Sequence, residues 1–161
     1  MPEAARLLRG ADVLADPLVR ELLGRRLVAV LATIGPDGVP HVTPLWFAED
    51  GDAIVMATGS GSRKVENLRR DPRATLVLHD SKAGFQVCGV SIEGRVEVRA
   101  AAAAAELVER VHARYVDSDA AEVVEFLASD DLALRLVPER GWTWDQRGTP
   151  AAQAGGGLPL D

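Results

Sequence analysis

Two periods of apolar and polar positions run through this chain, and each change of period marks an element. Leu27 to Ile34 is a continuous apolar run rich in β-branched residues, closed by Gly35-Pro36-Asp37-Gly38. That pattern predicts a strand buried on both faces, followed by a turn. Val39 to Phe47 reads as a second strand, Glu49-Asp50-Gly51-Asp52 as a turn, and Ala53 to Thr58 as a third strand. Three consecutive strands with short turns predict an antiparallel meander. Gly59-Ser60-Gly61-Ser62 then opens a short helix whose apolar side is Val65 and Leu68. Asp71-Pro72 ends it, because the residue before a proline is pushed out of the α region. Ala74 to His79 is a fourth strand and Ser81 to Gly84 a loop. Phe85 to Val98 is one long or interrupted strand, with Gly89 and Gly94 as candidate bulges.

Helical spacing governs the flanks. Residues 1–26 read as a helical arm, with Asp16 as N-cap, Pro17 in the first turn and Gly24 at the C-terminal end. Ala100 to Tyr115 is a helix carrying a Glu106–Arg110 pair at favourable spacing. Asp119 to Leu127 is another, with Asp119 and Glu122 spaced as a capping pair. Leu132 to Val137 alternates as a strand does, and Trp142 to Asp145 extends the sheet after a turn at Pro138–Gly141. Residues 148–161, with Gly155-Gly156-Gly157, read as a flexible tail. The expectation is one domain over residues 1–147, mainly β with added helices, built on an antiparallel barrel of six to seven strands.

Composition narrows the function classes. In a chain of 161 residues, 47% hydrophobic and 26% charged positions fit a globular domain and exclude wholesale disorder. A net charge of −6 counts against general nucleic-acid binding. No apolar run reaches the roughly 18 residues of a membrane span. The opening Met1-Pro2-Glu3-Ala4-Ala5-Arg6 lacks an apolar leader, so the expected location is the cytoplasm. The single cysteine, Cys88, forms no internal disulfide and no cysteine-rich metal site. Its neighbours include no base, which leaves it a small buried residue.

Positive charge is unevenly spread. The only lysines are Lys64 and Lys82, and Arg63, Lys64, Arg69, Arg70 and Arg73 stand against only Glu66 and Asp71. Arg63 and Lys64 fall in the first turn of a helix, where the dipole and unpaired amides favour anions and disfavour cations. A phosphate held between the two side chains explains this placement, and so do two side chains facing solvent. The block is neither a Walker loop nor a dinucleotide fingerprint. Pro44 interrupts a strand, which suits an edge and leaves backbone groups open to a planar ligand, or simply blocks aggregation. His41, His79 and His112 have no metal-ligand spacing. Trp142 and Trp144 share one strand face, as core or as a stacking platform. No protein acid–base pair stands out, so a cofactor would carry any chemistry.

Residues 27–98 resemble the pyridoxamine-phosphate-oxidase-like split β-barrel superfamily, and most closely its actinobacterial branch of deazaflavin-dependent reductases. The resemblance rests on Leu27–Asp52, on Val90–Ala100 and above all on Ile54–Leu78, where small residues precede Arg-Lys and then Asn-Leu-Arg-Arg-Asp-Pro-Arg. It implies a split barrel of the FMN-binding type, a homodimer with cofactor at the subunit interface, and a small-molecule substrate, with no nucleic acid and no membrane as partners. It implies a ring along Val42, Thr43, Pro44, Leu45 and Trp46, and a phosphate near Ala57, Thr58, Ser60, Ser62, Arg63 and Lys64. His79 and Trp142 of the other subunit would close the groove. The implied cofactor is coenzyme F420, with FMN as the alternative and haem as a third. Arg69 and Arg70 would either meet the F420 tail or form a solvated helix face. The implied function is an oxidoreductase that transfers hydride between an F420 or FMN ring and a small organic substrate, or else a non-catalytic cofactor binder.

Overall fold

The strands form one antiparallel sheet that curls on itself into the split-barrel form, in a computed structural model that describes residues 3–81, 87–117 and 121–149. The core strand β2 (Ala29–Ile34) buries Ala29, Leu31 and Thr33, while Val30, Ala32 and Ile34 on its other face are half-buried. Burial on both faces is therefore not achieved within one chain. β2 is flanked by β3 (Pro40–Leu45) and by β6 (Arg73–Ser81), which continues to β7 (Val87–Ala100) and β8 (Leu132–Asp145). β8 then pairs with β5 (Ala53–Thr58), and β5 with β4 (Phe47–Asp50), completing the order β3-β2-β6-β7-β8-β5-β4.

Three expectations are corrected. First, the N-terminal arm is not all helix. It opens with strand β1 (Glu3–Arg9), which pairs with the second half of β8, before α1 (Asp12–Ala15) and α2 (Pro17–Leu23). The edge of β8 supplies hydrogen bonds that local propensity does not reveal. Asp16 does cap α2, accepting from the Leu18 and Val19 amides. Second, Val39 to Phe47 is not one strand. The chain leaves β3 at Trp46 and resumes as β4 at the opposite end of the sheet order, so the first three predicted strands are not a meander. Phe47, fully buried, drives that crossing. Third, Pro138–Gly141 is not a turn but the middle of β8. The ladder shifts register there, Glu93 facing Arg140 and Gly94 facing Pro138, which leaves Glu139 as the extra residue.

Both candidate bulge glycines have a reason, but not the same one. A Cβ on Gly94 would lie 2.1 Å from the Val137 carbonyl oxygen, so the bulge needs glycine. Gly89 stays in register opposite Trp144, and a Cβ there would lie 2.3 Å from the indole. It is a seat for Trp144 and not a bulge. The helix α3 (Arg63–Arg70) forms where expected, as does α4 (Ala102–Tyr115). Of the Asp119 helix, α5 (Ala121–Leu127) is described; Asp119 of its capping pair, the 82–84 loop segment and the tail beyond Thr149 lie outside the described residues. Among the described residues no helix is long and apolar enough to cross a membrane.

Candidate functional site

Where the chain crosses from β3 to β4, it leaves a cleft of about 400 Å³. Pro44, Leu45 and Trp46 form one wall, and Ala57 and Thr58 at the end of β5 form another. Val28 and Val111 add apolar surface, while Lys64 and Asp130 are the charged members. Trp46 is held by Tyr115, whose ring stacks on it at 5.1 Å and 2° between planes. The Tyr115 hydroxyl donates to the Leu27 carbonyl at 2.6 Å. The Arg114 guanidinium lies over the Phe47 ring, 4.7 Å from its centroid, and donates to the carbonyls of Leu23 and Arg25 at the end of α2. Thus α4 is fastened on two sides and fixes the aromatic wall.

The loop into α3 places the polar groups. Ser62 is the N-cap by conformation, yet no side chain caps the helix. Its hydroxyl turns instead towards Thr58, 3.3 Å away. Lys64 donates to the Thr58 hydroxyl at 3.1 Å, and among the described residues no carboxylate lies within ion-pair distance of its ammonium. Burial pulls the Lys64 ammonium below the ordinary lysine range, and the Asp130 carboxylate opposes that shift. The Ser60 amide is already used, donating to Asp131 at 2.6 Å. Hydrogen bonding from Ser60 holds the Asp131 carboxyl below the usual carboxylate range. Behind the helix, buried Asn67 donates to the Thr33 hydroxyl at 3.0 Å, which ties α3 to β2.

Of the thirteen residues expected at the site, Pro44, Leu45, Trp46, Ala57, Thr58 and Lys64 share this cleft. Ser62 reaches it through Thr58. Val42 stands on the outer sheet face and is 54% exposed. Thr43 points the other way, and its buried hydroxyl has no hydrogen-bond partner; nor has Nδ1 of His41 on the same face. Arg63 does not line this cleft with Lys64: it lines a separate recess with His41 and Arg70. Arg70 donates to the Ile34 carbonyl, which commits it to closing the end of β2. His79 and Trp142 belong to the outer face. The register runs Pro44, Val30, Val77, Ser91, Trp142, which puts Trp142 four strands from Pro44, about 19 Å at 4.8 Å per strand.

Sequence reasoning missed Val28, Val111, Tyr115 and Asp130. Asp130 accepts from His112 Nε2 at 3.0 Å across 18 residues. No local signal announces that pair, although Asp130 is the last polar residue but one before β8.

Whether these groups suit a phosphate-bearing redox cofactor turns on their chemistry. A half-buried ammonium without a carboxylate partner, two hydroxyls beside it, an uncapped helix start and a flat apolar wall match a planar ring with an anionic chain. They fit.

The profile of the pyridoxamine 5'-phosphate oxidase family matches residues 15–145. The conserved hypothetical protein Rv2991 from Mycobacterium tuberculosis is 32% identical over 82% of this chain and 85% of that one, with a TM-score of 0.68. A protein described as an F420 reductase is 24% identical over 76% of this chain and 94% of its own, at a TM-score of 0.60. The haem storage protein HutZ from Vibrio cholerae is 18% identical over 81% of this chain and 94% of its own, at 0.65. These last two show the shared fold. No curated protein matches the sequence.

Proposed function

This chain belongs to the pyridoxamine 5'-phosphate oxidase family, and on that premise we propose that it is an oxidoreductase using coenzyme F420, bound by its ribityl phosphate in the cleft beside Lys64. The observation that carries the reading is Lys64 itself: a half-buried ammonium facing a largely apolar cleft, bonded to the Thr58 hydroxyl and, among the described residues, with no carboxylate at ion-pair distance. An exposed cation needs no such explanation, but a partly desolvated one calls for an anion. The Thr58 and Ser62 hydroxyls and the open amides of α3 would share the same phosphate.

Bound F420 supplies hydride chemistry to a small organic substrate. The chain's part is to bind and orient. Trp46, immobilised by Tyr115, presents a rigid flat wall, and Pro44 leaves the β3 edge without one ladder donor. Val28 and Val111 add to the apolar lining of the cleft, which favours an unsaturated or quinone-like acceptor over a sugar. The groove is completed by a second copy of the chain, whose outer sheet face, with His79 and Trp142, would cover the ring.

FMN is the second reading, because it carries the same ribityl phosphate and Lys64 serves it equally. Preference for F420 rests on the block from Ser60 to Arg73. The test is a parallel titration of apo protein with F420 and FMN, followed by ligand fluorescence anisotropy. Tighter binding of F420 is the expected result; tighter FMN binding transfers the function to the flavin; binding of neither removes the oxidoreductase reading.

A further inference from the structure

Asp130 lines the cleft together with Lys64, yet the two do not pair. The carboxylate is turned towards His112, whose Nε2 lies 3.0 Å from Oδ2. A carboxylate only accepts, so Nε2 must carry the proton, in the neutral as in the charged imidazole. His112 stands on α4, one residue beyond Val111 of the cleft, and its side chain is 13% exposed against 25% for Asp130. The contact therefore forms a wall between the cofactor cleft and an apolar groove running between α4 and α5.

We propose that His112 is a positioning residue that holds the Asp130 carboxylate away from Lys64 and so keeps the ammonium available to an anionic ligand. Released, Asp130 would turn to Lys64, because a half-buried ammonium beside a mobile carboxylate gains by pairing. The cation would then be neutralised before any phosphate arrived. The other charged groups near Lys64 do not take this role: Arg63 lines a different recess, and Asp131 is occupied by the Ser60 amide. The assignment to a phosphate rests on the function proposed above, whereas the restraint on Asp130 does not.

The chain has two lysines, so Lys64 can be followed directly. Reductive ¹³C-methylation followed by NMR, with Lys82→Arg to assign the signal, reports the ionisation of Lys64 without any cofactor. His112→Ala is expected to raise the Lys64 titration midpoint. His112→Gln, which still offers a donor to Asp130, is expected to leave it near that of wild type. His112→Ala/Asp130→Asn is expected to bring it back down. Should the alanine variant fail to fold, His112→Phe fills the same space without a donor and replaces it.

The same series is then titrated with FMN and F420. His112→Ala should bind roughly fivefold more weakly (about 1 kcal/mol), and the double variant should recover. An unchanged Lys64 midpoint in folded His112→Ala overturns the proposal, as does weakened binding that Asp130→Asn fails to rescue. A raised midpoint in a protein that binds neither cofactor upholds the restraint and removes the proposed function alone.

Discussion

At the scale of single residues, Lys64 concentrates the functional argument. It makes one hydrogen bond, to Thr58, and burial works against its charge. Replacing it removes a charged donor but no core volume. Lys64→Ala is therefore expected to leave the thermal midpoint nearly unchanged while weakening cofactor binding. A hydrogen bond to a charged group is worth about 1.5–3 kcal/mol, roughly a ten- to more than a hundredfold loss in affinity. Equal affinities in the two proteins, measured by anisotropy, would show that the phosphate lies elsewhere. The unusual position of a cation in a first helical turn was visible from spacing alone. What spacing could not show is that Arg63 and Lys64 diverge, since neighbours on a helix are about 100° apart and only the packing of α3 against β2 and β7 decides which one looks inward.

At the scale of elements, the C-terminal half of β8 depends on partners distant in sequence. Arg147, just beyond that strand, binds Glu21 of α2 at 2.7 Å and Asp145 at 2.6 Å. Hydrogen bonding from Arg147 holds both carboxyls below the usual carboxylate range. Their folded-state ionisation is easier than in the unfolded chain, so the contribution is fully present above the ordinary carboxylate range and is lost as pH falls from there through the lower folded-state values. Arg147→Ala is expected to lower the melting temperature by roughly 1–3 °C at pH 7, as an exposed network should. That difference should begin to shrink below about pH 5 and close only below the lowered folded-state values. A difference that does not shrink at all as pH falls from about 7 to below the ordinary carboxylate range, read by circular dichroism, would mean the arginine acts by packing and not by charge. Elements with a local signal, the continuous apolar run of β5 and the helical spacing of α3 and α4, were readable from neighbouring residues. β1 was not, because its alternation is weak and its stability comes from the β8 edge.

At the scale of the whole molecule, the outer sheet face is the unfinished part. Val28, Val42, Trp142 and Leu7 are 49%, 54%, 43% and 39% exposed, and Val30, Ala32 and Val77 lie half-buried among them. Apolar residues exposed in this number on one sheet face are expected to be covered by a second copy of the chain. Light scattering at micromolar concentration should give twice the 17.1 kDa chain mass. The single-chain mass at that concentration would count against a shared groove. The local alternation of apolar residues, the turns at Gly35–Gly38 and Gly51 and the cap at Asp16 were determined by the sequence, since each depends on residues a few positions apart. Membership of the split-barrel family was legible for the same reason, in a continuous block of chain. The tertiary structure alone decided that β3 and β4 part company at Trp46, that β8 runs unbroken through Pro138, and that His112 meets Asp130 beside Lys64. Those outcomes depend on burying Phe47 and on which strand edges remain to be paired, and no window of neighbouring residues contains that information.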